Sequence, residues 1–259
     1  MSTYKKLVAV SMVMMLLAGI SLASGKSITI KGSTTVLPIS QAVAERFMDL
    51  NPDIDISVQG GGSGVGIASI IEGTCDIGNS SRSIRDRELQ NAAVRGRSPK
   101  ANVVAMDGIA VIVHPNNPIK GFTKNQVKDI YTGKVSDWSE LGGNAGKIVV
   151  ISRDTASGTF EAFNELVLDK LKVRPDALME ASNRGIAAKI AQTPQGIGYV
   201  GLGYITGSVK ALPINGVEPS KETVLSKKYV ISRPLFMYTN ANAEGSVKKF
   251  LDFLMSSEG

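Results

Sequence analysis

The chain has 259 residues, 43% hydrophobic and 20% charged, with a formal net charge of +6. Such a chain can bury one sizeable core or two smaller ones, and two lobes are expected. The charge is mild and its basic clusters, Arg82-Ser83-Ile84-Arg85-Asp86-Arg87 and Arg95-Gly96-Arg97, are broken by acids and lack interleaved aromatics, which speaks against a nucleic-acid-binding surface.

In chain order, residues 1–24 read as a secretory signal peptide. Lys5 and Lys6 precede an uncharged apolar run over 7–22, and the small residues Ala23, Ser24 and Gly25 follow. The run is short for a membrane span and no stop-transfer charges follow it. Ile20 occupies the place where a lipoprotein signal needs its cysteine, so export without a lipid anchor is expected. Removal of Lys5 and Lys6 lowers +6 by two, to about +4.

The mature part then alternates strands and helices. The pattern predicts a strand over 27–31, a helix over 36–50 stopped by Asn51-Pro52, a strand over 55–59, and a short helix over 65–71. A strand over 75–78, a helix over 86–94 and a long extended segment over 103–114 follow. The second half repeats the plan: helix 124–131, strand 148–152, helix 159–171, helix 177–191, strand 197–200, an extended segment over 229–239 and a closing helix over 247–255. The two long extended segments suit strands crossing between lobes. The expected boundaries are 25–107 plus 233–259 for the first lobe and 108–232 for the second.

Three stretches place Gly, Ser and Thr where a strand yields to a helix: Gly32-Ser33-Thr34-Thr35, Gly60-Gly61-Gly62-Ser63-Gly64 and Ala156-Ser157-Gly158-Thr159. A helix start leaves backbone N–H groups unpaired and carries about half a positive charge. Gly permits close approach and a hydroxyl adds a donor, so three such starts brought together make an anion site. Arg153, upstream of the third loop, supplies a full charge. Open α/β sheets bind ligands beyond the carboxyl ends of their strands, where all three loops fall.

Catalytic readings find little support. The single histidine, His114, has no partner for a zinc site or a Ser-His or Cys-His pair. Gly25-Lys26-Ser27 lacks the spaced glycine of a phosphate loop, and Ser63 lacks the second glycine of a nucleophile elbow. The sole cysteine, Cys75, is expected in the core. No cofactor or metal is called for.

The motifs Ile30-Lys31-Gly32-Ser33-Thr34-Thr35-Val36-Leu37-Pro38, Gly62-Ser63-Gly64-Val65-Gly66, Asp76-Ile77-Gly78-Asn79-Ser80-Ser81-Arg82, Ser152-Arg153-Asp154 and Ser157-Gly158-Thr159 together resemble the substrate-binding proteins of bacterial ABC importers for phosphate. The resemblance covers the whole mature chain. It implies a type II periplasmic-binding fold: an α/β protein of two lobes, each a mainly parallel sheet flanked by helices, joined by two crossing strands. It further implies hinge closure on the anion, a membrane permease with its ATPase as partners, a monomer, and the ligands Ser33, Thr34, Thr35, Ser63, Ser81, Arg153, Ser157, Gly158 and Thr159. Many family members carry an aspartate where this chain has Ser81, and that carboxylate accepts the proton phosphate carries and sulfate lacks. Asp107, in Met106-Asp107-Gly108, is the expected replacement, with Asp76 second. Other tetrahedral oxyanions (sulfate, molybdate, tungstate) remain alternatives, as do an exported phosphate-handling enzyme and a sensor.

Overall fold

A computed structural model describes residues 26–259; the expected signal peptide lies outside the described residues. Strand β1 (Lys26–Gly32) turns Ile28 and Ile30 inward by its period of two. Helix α1 (Leu37–Leu50), with Pro38 in its first turn, lays Val43, Ala44 and Phe47 on the core. Strand β2 (Ile54–Gly60), helix α2 (Ser63–Glu72), strand β3 (Ile77–Ser80) and helix α3 (Asp86–Val94) follow. The long β4 (Pro99–Val113) then leads to α4 (Lys124–Thr132), β5 (Val149–Arg153), α5 (Gly158–Leu166), β6 (Leu178–Glu180), α6 (Asn183–Ala191), β7 (Gly196–Gly201), β8 (Lys210–Leu212) and α7 (Lys221–Leu225). Strand β9 (Ser232–Asn240) and helix α8 (Gly245–Leu254) complete the chain.

The strands are hydrogen-bonded in the order β2-β1-β3-β9-β4-β7-β5-β6, with β8 also on β4. Pairing is parallel among β2, β1 and β3 and again among β7, β5 and β6. The long strands add antiparallel pairing, with β4 and β9 paired from Pro99 opposite Asn240 to Gly108 opposite Ser232 and the register shifting between Val103 and Ala105. Apolar clusters lie on either side of this pair. Ile28, Ile30, Phe47, Ile56, Ile77, Met237 and Phe250 belong to one. Ile109, Val111, Tyr131, Trp138, Phe163 and Tyr199 belong to another, where the Phe163 and Tyr199 rings stack with centroids 3.9 Å apart. Each helix-strand unit thus buries its own apolar face, and β4 and β9 are shared.

Several elements depart from the sequence reading. The helix expected over 177–191 divides, because Leu178–Glu180 pairs in parallel with β5 as an edge strand. Ser182 then caps a helix that starts at Asn183, its hydroxyl accepting the Gly185 N–H. The helix expected over 159–171 ends at Leu166, since Asp169 and Lys170 adopt positive φ, which a right-handed helix does not allow. Strand β3 starts two residues later than expected, so Cys75 precedes it and is half-buried; burial still pushes its thiol up to about 11.

The packing of α2 onto the sheet depends on one close approach. A Cβ on Gly66 would stand 2.4 Å from the Asn79 carbonyl oxygen and 2.8 Å from that of Lys31. Both obstacles are backbone of β3 and β1, which cannot step aside. Gly66→Ala is expected to cost about 2 kcal/mol or more and to lower the thermal midpoint by about 5 °C or more. A calorimetric scan of the two proteins measures it.

Candidate functional site

The three glycine-rich turns meet where β4 and β9 pass between the two sets of apolar clusters. In the first turn, Gly32 takes φ +132°, and the Ser33 hydroxyl accepts the N–H groups of Thr35 at 3.1 Å and Val36 at 3.4 Å. Its side chain therefore shapes the turn, while Thr34 and Thr35 project their hydroxyls beyond it. In the second turn, Gly61 and Gly62 take φ +147° and +93°, and the Gly62 N–H donates to the Gly32 carbonyl at 3.0 Å. A Cβ on Gly62 would lie 2.7 Å from the Ala156 carbonyl oxygen, so only glycine fits. In the third turn, Ser157 caps α5, its hydroxyl accepting the Phe160 N–H at 3.2 Å.

Contacts between the turns bring most of the expected residues together. The Gly64 N–H donates to the Ala156 carbonyl at 3.0 Å. The Thr35 and Thr159 hydroxyls are 3.0 Å apart. Ser63 and Ser81 hydroxyls are 3.2 Å apart, and the Ser81 N–H donates to the Ser63 hydroxyl. A Cβ on Gly158 would fall 2.3 Å from the Ser63 hydroxyl oxygen. Thr34, Thr35, Ser63, Ser81 and Thr159 thus gather their hydroxyls, whereas Ser33 and Ser157 spend theirs on their own turns. All seven are buried.

Arg153 reaches this cluster from the end of β5. Its Nε donates to the Glu180 carbonyl at 3.1 Å, and its Nη2 donates to the Ala181 carbonyl at 2.9 Å and the Thr34 hydroxyl at 3.3 Å. Its Nη1 is buried with no partner among the described residues. Burial lowers the guanidinium's proton affinity, yet arginine stays charged. A buried, charged donor lacking an acceptor is a costly arrangement that an oxyanion would relieve.

Sequence reasoning missed three participants. Arg233, on β9, is 5% exposed. Its Nη1 donates to the carbonyls of Ser81 and Gly158, both at 3.0 Å. Its Nη2 donates to the Thr159 hydroxyl at 2.9 Å, the Asp107 carboxylate at 3.2 Å and the Thr35 hydroxyl at 3.3 Å. Asn183 donates its amide to the hydroxyls of Thr34 and Thr35 at 3.1 and 3.0 Å. The Tyr204 hydroxyl donates to the Thr34 carbonyl. A lone arginine inside an apolar extended run was the available signal for Arg233; Asn183 was hidden inside a misassigned helix.

Asp107 is buried opposite Arg233 across the β4–β9 ladder. Its Oδ1 accepts the Leu202 N–H at 3.0 Å and its Oδ2 accepts from Arg233. Burial pushes its pKa up, with Arg233 pulling back. Asp76, the second candidate, is exposed and its carboxylate accepts the Thr29 N–H at 2.8 Å. Two buried guanidiniums against one buried carboxylate leave the cluster with an excess positive charge, and helix starts add to it.

Comparison with known proteins fits this geometry. A model of the PBP superfamily domain matches residues 20–258. The phosphate-binding protein PstS of Bacillus subtilis is 38% identical over 237 residues, covering 91% of this chain and 77% of the relative. PstS of Borreliella burgdorferi is 34% identical, covering 90% and 86%. Among solved structures, the phosphate-bound ABC-transporter substrate-binding protein of Clostridium perfringens aligns with a TM-score of 0.85 at 39% identity, covering 90% of this chain and 95% of that one. The ABC-type phosphate transport receptor of Vibrio cholerae aligns at 0.72 and 33%, covering 89% and 94%. The fold is accordingly the two-lobed type II periplasmic-binding α/β fold, and the chain belongs to the PstS phosphate-binding protein family.

Proposed function

We propose that this protein is the extracytoplasmic receptor of a phosphate ABC importer, capturing inorganic phosphate between its lobes and delivering it to the membrane permease and ATPase. The observation that carries the reading is the buried Arg153 Nη1, which has no partner among the described residues, beside the cluster in which the three helix starts meet. Thr34, Thr35, Ser63, Ser81, Arg153, Gly158 and Thr159 replace the anion's water shell, and Ser33 and Ser157 hold the turns that present them. No bond is made or broken, so the role is capture without catalysis. Residues 1–24 serve as the signal for export and are removed, and the mature chain acts as a monomer. The first lobe comprises 25–107 and 233–259 and the second 108–232, so the ligands come from both sides of β4 and β9. Closure is driven because contacts to the anion exist together only when the lobes meet.

Asp107 tells phosphate from sulfate in this reading. It is buried, and its Oδ2 shares Arg233 Nη2 with the Thr35 and Thr159 hydroxyls. A carboxylate there accepts the proton of a phosphate monoanion or dianion and repels a sulfate that has none to give. Titration calorimetry with phosphate and then sulfate, from mildly acidic to mildly alkaline pH, tests both points. Tight phosphate binding without sulfate heat is the expected result, and Asp107→Asn is expected to narrow the gap at least tenfold. Equal binding of both anions by the unaltered protein would make it a general oxyanion receptor. An unchanged gap in Asp107→Asn would remove Asp107 from the discrimination.

A further inference from the structure

The two arginines of the cluster Arg82-Ser83-Ile84-Arg85 are not absorbed by the anion cradle, yet both reach Glu161 of α5. Arg82 Nε lies 2.7 Å and Arg85 Nη2 2.6 Å from the two carboxylate oxygens of Glu161. Glu161 is in the first turn of α5, the helix whose start presents Ser157, Gly158 and Thr159. Arg82 also forks onto Glu88, its Nη1 and Nη2 donating to the two oxygens at 2.7 Å each, and Glu88 in turn accepts the Arg85 N–H at 2.8 Å. The Arg82 guanidinium is thereby held within its own segment, and Arg85 is tied to the same carboxylate through its backbone N–H. The Arg82 side chain is only 8% exposed and that of Glu161 19%, so the pairing is partly desolvated and stronger than a surface contact. Burial works against the Arg82 charge, but Glu88 and Glu161 outweigh it and hold the guanidinium above its ordinary range.

The space around these pairs sharpens their meaning. A cavity of about 740 Å³ lies here, lined by Ile84, Phe160, Leu166, Pro234 and Phe236 as well as by the charged residues. Apolar packing does not close the lobes on this side; the ion pairs bridge the gap. Any hinge opening that separates α5 from the 82–85 segment must break both contacts to Glu161, while the Arg82–Glu88 pair can persist within its own lobe.

We propose that Glu161, gripped by Arg82 and Arg85, is a latch that exists only in the closed state and sets how long phosphate is held. This rests on the phosphate reading above. Two effects of the Glu161 charge oppose each other, which makes the sign decisive. As a latch the carboxylate favours closure and tightens binding. As a negative charge in the first turn of an anion-binding helix it would weaken binding.

The test is Glu161→Gln in the mature chain, with phosphate affinity by calorimetry, rates by stopped flow, and the radius of gyration of phosphate-free protein by X-ray scattering. The expected result is a dissociation constant raised about fivefold or more, carried by faster dissociation with association unchanged. Arg85→Gln is expected to act in the same direction, and the double variant to be no weaker than Glu161→Gln alone. Affinity unchanged or increased in Glu161→Gln would overturn the latch. Should the unaltered protein bind no phosphate, the functional reading fails instead, and the latch is judged by scattering: a larger radius for Glu161→Gln supports it and an equal radius overturns it.

Discussion

Arg153→Met is expected to weaken phosphate binding on the order of a hundredfold or more, because the lost donor is charged, buried and, in the proposed site, faces the anion. The phosphate-free protein is expected to keep its thermal midpoint to within a few degrees. In the free state the guanidinium is desolvated, its proton affinity lowered by burial, and its Nη1 has no acceptor among the described residues. Removing it therefore relieves about as much as it costs in bonds to the Glu180 and Ala181 carbonyls and the Thr34 hydroxyl. The two effects separate in one experiment. At saturating phosphate a hundredfold loss of affinity removes about 2.7 kcal/mol of ligand-linked stability, so the rise in midpoint on adding phosphate shrinks while the phosphate-free midpoint stays. Arg153→Lys is expected to fall between the two proteins: the charge remains, but an ammonium cannot keep the planar fork that engages two carbonyls and still presents Nη1. An unchanged dissociation constant for Arg153→Met would remove this residue from the site.

The parts of the fold that the sequence made legible are those whose cause is local. Period-two burial in 27–31 and the apolar stripe of 36–50 follow from the residues themselves, as do the glycines of the second turn, where Gly61 and Gly62 take positive φ. The same holds for the convergence of three helix starts, because strand-to-helix turns of parallel segments open at one end of a sheet. What stayed hidden has distant causes. Leu178–Glu180 has no strong strand pattern of its own and becomes a strand because β5 offers an open edge. The described side-chain hydrogen bonds of Arg233 all go to residues at least 74 positions away, so no local window could assign it. The Arg82 segment shows in the sequence only as a basic cluster broken by acids, because its partner Glu161 lies 79 residues beyond Arg82.

Arg233→Met is expected to produce the largest loss of stability among single substitutions at the site, and the reason lies in what it strands. Asp107 is almost wholly buried, and apart from Arg233 its described hydrogen bond is to the Leu202 N–H. Breaking a buried ion pair by removing one partner costs about 3–5 kcal/mol, whereas replacing both partners by apolar residues is close to neutral. Arg233→Met alone should therefore lower the midpoint by about 10 °C, and Arg233→Met with Asp107→Leu should recover most of the loss. The pH dependence has a definite sign. Burial raises the Asp107 pKa in the folded state, and without Arg233 the largest opposing pull is gone. The folded single variant then binds more protons than the unfolded chain between the ordinary aspartate pKa and the raised one, so its stability rises as pH is lowered through that window. The double variant lacks the carboxyl and should lack this response. Phosphate binding is expected to be weak in both, because the Nη1 bridge between the Ser81 and Gly158 carbonyls is lost in each and the double variant also lacks Asp107. Arg233→Lys keeps Asp107 and a charge opposite it but not the two-carbonyl bridge: unchanged phosphate binding in it would show that Arg233 serves only to neutralise Asp107, and weak binding in a stable Arg233→Lys assigns Arg233 the bridge between the Ser81 and Gly158 carbonyls.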